Sequence, residues 1–118
     1  MVDVFKSMRS FKFALKGIRS FFKTENNARI HFLASLVVIV LGFYFQLNRS
    51  EWLWIVLAIA LVWITEMVNT AFEKLVDLVS PQKNTQAGQV KDLAAGAVLL
   101  AATAAVVIAV LIFGPYLF

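Results

Sequence analysis

Cysteine is absent from this 118-residue sequence, and histidine, proline and glycine occur only one, two and five times. Without cysteine there is no disulfide, thiolate metal site or cysteine nucleophile. One histidine cannot build a zinc site from several histidines. The glycines form neither a G-x-x-x-x-G-K-[ST] nor a G-x-G-x-x-G motif. If the protein handles a nucleotide, it must therefore do so through carboxylates, amides and basic side chains.

Charged residues are also few, at 15% of the sequence, whereas hydrophobic residues make up 61% and the mean hydropathy is +0.82. Soluble domains contain about 25% charged and about 45–50% apolar residues. The composition therefore excludes an ordinary soluble domain and a disordered chain. The length allows one domain, over 1–118.

The net charge of +4 is unevenly distributed, because seven of the 11 Lys and Arg residues lie within the first 31 positions. A basic end followed by long apolar runs is typical of a membrane protein oriented by its charges. This distribution argues against nucleic acid as a partner.

Residues 4–23 carry two parallel stripes at three- and four-residue spacing. The apolar stripe is Phe5, Met8, Phe11, Leu15, Ile18 and Phe22, and the basic one is Lys6, Arg9, Lys12, Lys16, Arg19 and Lys23. This pattern predicts an amphipathic helix lying on an anionic membrane surface.

Three apolar runs follow, and they predict membrane-spanning helices over 30–47, 52–79 and 93–113. The polar segment 80–89 predicts a loop, and Gly114-Pro115 is expected to end the last helix. The last run is rich in alanine, which lets membrane helices approach closely. The predicted fold is thus an all-α membrane protein with an N-terminal surface helix and three transmembrane helices. Basic flanks place the N-terminus in the cytoplasm and the C-terminus outside.

The second run carries polar residues on one helical stripe: Glu66, Asn69 and Glu73 at i, i+3 and i+7, with Asp77 one turn further on. A charged side chain deep in a membrane helix costs about 2.5–3.5 kcal/mol on insertion scales. The stripe is interpreted as functional, with polar contacts inside an oligomer or a solvated face beyond the membrane edge as alternatives.

Carboxylates on neighbouring turns can divide two tasks, since one can bind Mg²⁺ through oxygen and another can accept a proton from a hydroxyl.

Lys91-Asp92 has two interpretations, an ordinary helix start or a phosphate contact through the lysine. His31, in the polar segment 25–31, is expected to be an interface residue rather than a ligand.

Four segments together resemble the prokaryotic diacylglycerol kinase family: 10–17 (SFKFALKG), 25–31 (ENNARIH), 66–77 (EMVNTAFEKLVD) and 91–98 (KDLAAGAV). The resemblance covers almost the whole chain. It implies a homotrimeric kinase of the bacterial cytoplasmic membrane that transfers the γ-phosphoryl group of Mg-ATP to a lipid hydroxyl.

The resemblance also implies roles for individual residues. Glu66 would be the general base, with Asn69 orienting nearby groups, and Glu25 and Glu73 would hold Mg²⁺. The residues implied in nucleotide binding are Lys6, Phe13, Glu25, Asn69, Glu73, Lys91 and Asp92. The triplet 29–31 resembles that of undecaprenol kinases more than that of diacylglycerol kinases. Segment 80–84 lacks the acid and the histidine that the family often has there, so a nucleotide contact from this loop stays open.

Two other functions fit an intramembrane polar stripe. One is a non-enzymatic membrane scaffold whose polar residues hold an oligomer together, and the other is an ion or proton pathway with Glu66 as a relay.

Overall fold

The computed structural model describes residues 1–118 and consists of four helices without strands: α1 Val4–Thr24, α2 Asn26–Tyr44, α3 Arg49–Val79 and α4 Thr85–Leu117. Helices α2, α3 and α4 are long and apolar enough to cross a membrane. The prediction of an all-α protein with three candidate spans is therefore confirmed.

The turn between α2 and α3 corrects the predicted end of the first span. That span was expected to reach residue 47, but α2 ends at Tyr44 and the backbone reverses through Gln46, whose φ is 55°. Leu47 is apolar because it is buried against Ile55 and Phe113 at this end of the bundle, and not because it continues the helix. A capping box between Asn48 and Glu51 then starts α3.

The start of α4 corrects the predicted loop over 80–89. Only 80–84 connect α3 to α4, because the Asn84 side chain accepts a hydrogen bond from the Ala87 N–H at 2.8 Å and caps the helix at Thr85. Lys91 and Asp92 therefore lie in the second turn of α4 rather than before it.

The end of α4 also differs from the expected stop at Gly114-Pro115, because the helix continues to Leu117. The Tyr116 hydroxyl donates a hydrogen bond to Glu51 Oε1 at 2.6 Å, which holds the last turn of α4 against the first turn of α3. A proline this close to a helix end disturbs few backbone hydrogen bonds.

The α1 helix is attached to the rest of the chain at its C-terminal end. The Phe22 ring packs edge-on against Trp63 and Phe32, with centroid distances of 4.9 and 5.8 Å. The Arg29 guanidinium donates to the carbonyls of Phe22 and Lys23, which are otherwise unpaired at a helix end. These contacts set the start of α2 beside the middle of α3.

The single chain has little interior of its own, since 13 of its 118 residues are buried. Helices α3 and α4 form the most extensive packed pair, and α2 packs less extensively against α3. Most large apolar side chains on α2, α3 and α4 are exposed. A bilayer or further helices must cover these surfaces.

Gly42 on α2 is required by close packing against Trp52. A Cβ at position 42 would lie 2.5 Å from the Trp52 ring, so the rigid indole would have to rotate or α2 would have to shift. We expect Gly42→Ala to destabilise the protein by about 1–3 kcal/mol through overpacking, seen as a lower thermal unfolding midpoint in detergent. Gly17→Ala on α1 is the matched control, because no atom lies within 4 Å of its Cβ. Equal midpoints for the two variants would contradict the packing.

Candidate active site

Glu66 is the one charged residue of the chain that is buried. Glu66 is only 5% exposed even in the single chain, where no bilayer or neighbouring subunit surrounds the helices. Its Oε1 lies 3.1 Å from Nε2 of His31 on α2, within hydrogen-bond distance. The carboxylate therefore has one partner, supplied by another helix.

A second hydrogen bond joins the same two helices next to this pair. The Trp63 Nε1–H donates to Ser35 Oγ at 3.0 Å, and the Ser35 hydroxyl donates to the His31 carbonyl at 2.7 Å. Ser35 follows His31 by one turn, and Trp63 precedes Glu66 by nearly one turn, as antiparallel helices require. The two contacts fix the register of α2 against α3.

Asn69 and Glu73 lie further along the predicted stripe and become progressively more exposed. Asn69 is half-buried and Glu73 is exposed, and Asn69 Nδ2 donates to Glu73 Oε1 at 3.4 Å. Asn69 Oδ1 is buried without a hydrogen-bond partner. A buried amide oxygen without a protein partner thus lies one turn from an exposed carboxylate.

Lys91 and Asp77 form an ion pair between α4 and α3, with Nζ and Oδ1 2.7 Å apart. Both side chains are accessible, at 39% and 66% exposure. Asp92 is exposed and has no ion-pair partner. The pair places a cation on the same end of the bundle as Glu73.

Glu25, Lys6 and Phe13 are not brought into contact with the α3 stripe within this one chain. Glu25 is half-buried at the junction of α1 and α2, where its backbone N–H caps α1. Lys6 and Phe13 are exposed on α1, and Lys6 forms no ion pair. No group of three or more His, Asp or Glu side chains is assembled to hold a metal ion.

An apolar groove of about 250 Å³ runs from the His31 side chain between α2, α3 and α4. Alanines of α4, Ala102, Ala105 and Ala109, form part of its wall, and His31 and Ser35 are among its few polar residues. The lining is therefore apolar except beside these two residues.

The pairing of His31 with Glu66 is the feature of the site that sequence reasoning did not find. The two residues lie 35 positions apart, so no local pattern reveals the pair. The available signal was the interruption of an apolar run by His31 and Ser35, one turn apart on a single helix face.

The comparison with known families matches residues 12–113 to the family described as Prokaryotic diacylglycerol kinase. Undecaprenol kinase of Bacillus subtilis is 38% identical, over 92% of this chain and 89% of that protein. Diacylglycerol kinase of Synechocystis is 40% identical over 84% of this chain, which spans 57% of that longer relative. Diacylglycerol kinase of Escherichia coli is 27% identical over 80% of this chain and 78% of that enzyme.

Proposed function

This chain belongs to the prokaryotic diacylglycerol kinase family of membrane lipid kinases, and we propose that it transfers the γ-phosphoryl group of Mg-ATP to the hydroxyl of a membrane lipid. The observation that carries this proposal is the buried Glu66 carboxylate, held by a hydrogen bond on a helix able to span a membrane. An intramembrane carboxylate of this kind marks a functional site by default.

The depth of Glu66 suits a lipid hydroxyl. At 1.5 Å per residue, Glu66 lies about 25 Å along α3 from Arg49, and Glu73 lies about 36 Å along it. The hydrocarbon core is about 30 Å thick. With Arg49 at one edge of the core and α3 upright, Glu66 would lie just inside the opposite edge and Glu73 beyond it, where lipid headgroups meet water.

In the proposed reaction, Glu66 accepts the proton of the lipid hydroxyl. The hydroxyl oxygen forms a bond to the γ-phosphorus, and the bond from that phosphorus to the β,γ-bridging oxygen breaks, which releases ADP. Because phosphoryl transfer depends mainly on positioning and charge neutralisation, the other residues are proposed to orient the reactants and to neutralise the phosphate charge. Asn69 is proposed to orient groups beside the base.

The donor set on α3 fits Mg²⁺, which prefers oxygen ligands and usually takes one or two carboxylates with substrate phosphates. Glu73 offers an exposed carboxylate on this helix, and we assign it, together with Glu25 from the α1–α2 junction of a neighbouring subunit, to hold the ion. When bound, Mg²⁺ would neutralise negative charge on the nucleotide phosphates.

Four further residues are proposed to bind the nucleotide. Lys91 is accessible and already oriented by Asp77, so a phosphate could share its three donors. Asp92, Lys6 and Phe13 complete the proposed nucleotide contacts. Because Lys6 and Phe13 on α1 do not reach the α3 stripe within one chain, we propose that neighbouring subunits share the site, in the homotrimer that the family resemblance implies.

The proposed location is the bacterial cytoplasmic membrane, with the N-terminus and segment 80–84 in the cytoplasm and the α2–α3 turn and C-terminus outside. The chain has no cysteine, so single cysteines at positions 48 and 83 report its orientation without background. We expect a membrane-impermeant maleimide to label position 48, and not position 83, in intact spheroplasts. Labelling of position 83 alone would reverse the topology.

The lipid substrate is proposed to be undecaprenol rather than diacylglycerol, supported by the triplet 29–31 and by the similarity to undecaprenol kinase. Purified protein in mixed micelles, given labelled ATP, Mg²⁺ and either lipid, should form labelled undecaprenyl phosphate at the higher rate. A faster reaction with diacylglycerol would reverse the preference. No transfer to either lipid by a folded oligomer would favour the scaffold, or the ion pathway if the protein conducts.

Amide substitutions separate the two carboxylate roles. Glu66→Gln should lower turnover by about 10²–10⁴-fold, since it removes the base, and leave Mg-ATP binding unchanged. Glu73→Gln should instead raise the Mg²⁺ concentration needed for half-maximal activity. Titration calorimetry measures Mg-ATP binding. Steady-state rates across Mg²⁺ concentrations measure turnover and the Mg²⁺ concentration needed for half-maximal activity.

Glu51→Gln supplies the same chemical change at the opposite end of α3, where it should leave turnover and metal dependence unaltered. Near-normal turnover of Glu66→Gln would remove that residue as the base. An unchanged Mg²⁺ requirement in Glu73→Gln would remove it from the metal site.

A further inference from the structure

We propose that His31 is a positioning residue for the catalytic carboxylate, holding Glu66 so that one of its oxygens is directed at the lipid hydroxyl. This inference rests on the proposed function. Its observation is the 3.1 Å contact between His31 Nε2 and Glu66 Oε1, which joins α2 to α3.

Glu66 depends on this contact because no other side chain donates a hydrogen bond to it. Asn69, one turn away, donates to Glu73 instead, and Lys91 pairs with Asp77. A buried carboxylate without a hydrogen bond is strongly destabilised. His31 is therefore the group that keeps this carboxylate in place.

The contact also distinguishes the two carboxylate oxygens. An ionised carboxylate only accepts hydrogen bonds, so this contact requires the His31 tautomer with its proton on Nε2. Oε2 is then left to accept the proton of a substrate hydroxyl. Proton transfer requires a base within about 2.6–3.2 Å of the proton's oxygen in the reacting complex. Restricting the rotation of the carboxylate makes this arrangement more frequent.

The backbone of His31 is held in register with α3. Its carbonyl accepts the Ser35 hydroxyl, which in turn accepts the Trp63 N–H from α3. The imidazole also borders the apolar groove between α2, α3 and α4. A lipid chain lying in that groove would bring its hydroxyl end to the His31–Glu66 pair.

Two substitutions at position 31 separate the hydrogen bond from the ring. His31→Phe keeps a ring without the donor, and His31→Gln keeps a nitrogen donor at the distance of Nε2. We expect His31→Phe to lower kcat by about 10–100-fold, with KM for ATP and lipid within about twofold. His31→Gln should recover most of the lost turnover.

Leu33→Phe is the control, because it adds an aromatic ring at an exposed position of α2 outside the triplet 29–31, and its kcat should equal that of the wild type. A wild-type kcat in His31→Phe would overturn the proposal. So would equal losses in the Phe and Gln variants, or a loss confined to KM.

A double-mutant cycle keeps the contact testable apart from the activity. Thermal unfolding midpoints of His31→Phe, Glu66→Ala and the double variant should be non-additive, because residues in contact are energetically coupled. Additive shifts would overturn the contact. If the cycle shows coupling but the wild-type protein transfers no phosphoryl group, the proposed function is overturned, and the positioning role with it.

Discussion

A carboxylate inside a membrane-spanning segment constrains the structure around it, since Glu66 must be desolvated and still be held in place. The protein meets this constraint with a histidine on the neighbouring helix and with a second hydrogen bond, from Trp63 to Ser35, one turn away. The packing of Phe22 on Trp63 then ties α1 to the same point. Because the His31–Glu66 and Trp63–Ser35 contacts both join α2 to α3, the contacts that fix the register of these helices also fix the geometry around Glu66.

The length of α3 explains how neighbouring polar residues acquire different chemistry. Its 31 residues extend about 46 Å, longer than the hydrocarbon core of about 30 Å. Glu66 is buried, Asn69 half-buried and Glu73 exposed, so two carboxylates on one stripe lie in different environments. A desolvated carboxylate suits proton transfer, and an accessible one suits a hydrated cation that keeps several of its waters. Helical periodicity places the two carboxylates on one face, and the length of α3 gives them different environments.

Sequence reasoning succeeded where the signal is local and failed where it is tertiary. Apolar runs and three- or four-residue spacing predicted the helices and the Glu66–Glu73 stripe, because these depend on composition and periodicity alone. The end of α2 at Tyr44 was not predicted, because Leu47 prolongs the apolar run in the sequence. Its apolar side chain instead packs against Ile55 and Phe113 beyond the turn. The pairing of His31 depends on a partner 35 positions away.

The two ends of the bundle differ in a way that bears on function. At one end, Glu51 caps α3 and accepts the Tyr116 hydroxyl, so its polar groups are used in joining α3 to α4. Between this end and Glu66, α3 has no charged residue from Trp52 to Thr65. At the other end, an accessible carboxylate, an unpartnered amide oxygen and an oriented lysine lie within a few turns. A pathway for ions or protons requires polar groups through the whole depth of the membrane. Polar groups concentrated at one edge instead suit a reaction between a lipid hydroxyl in the bilayer and a phosphoryl donor in water.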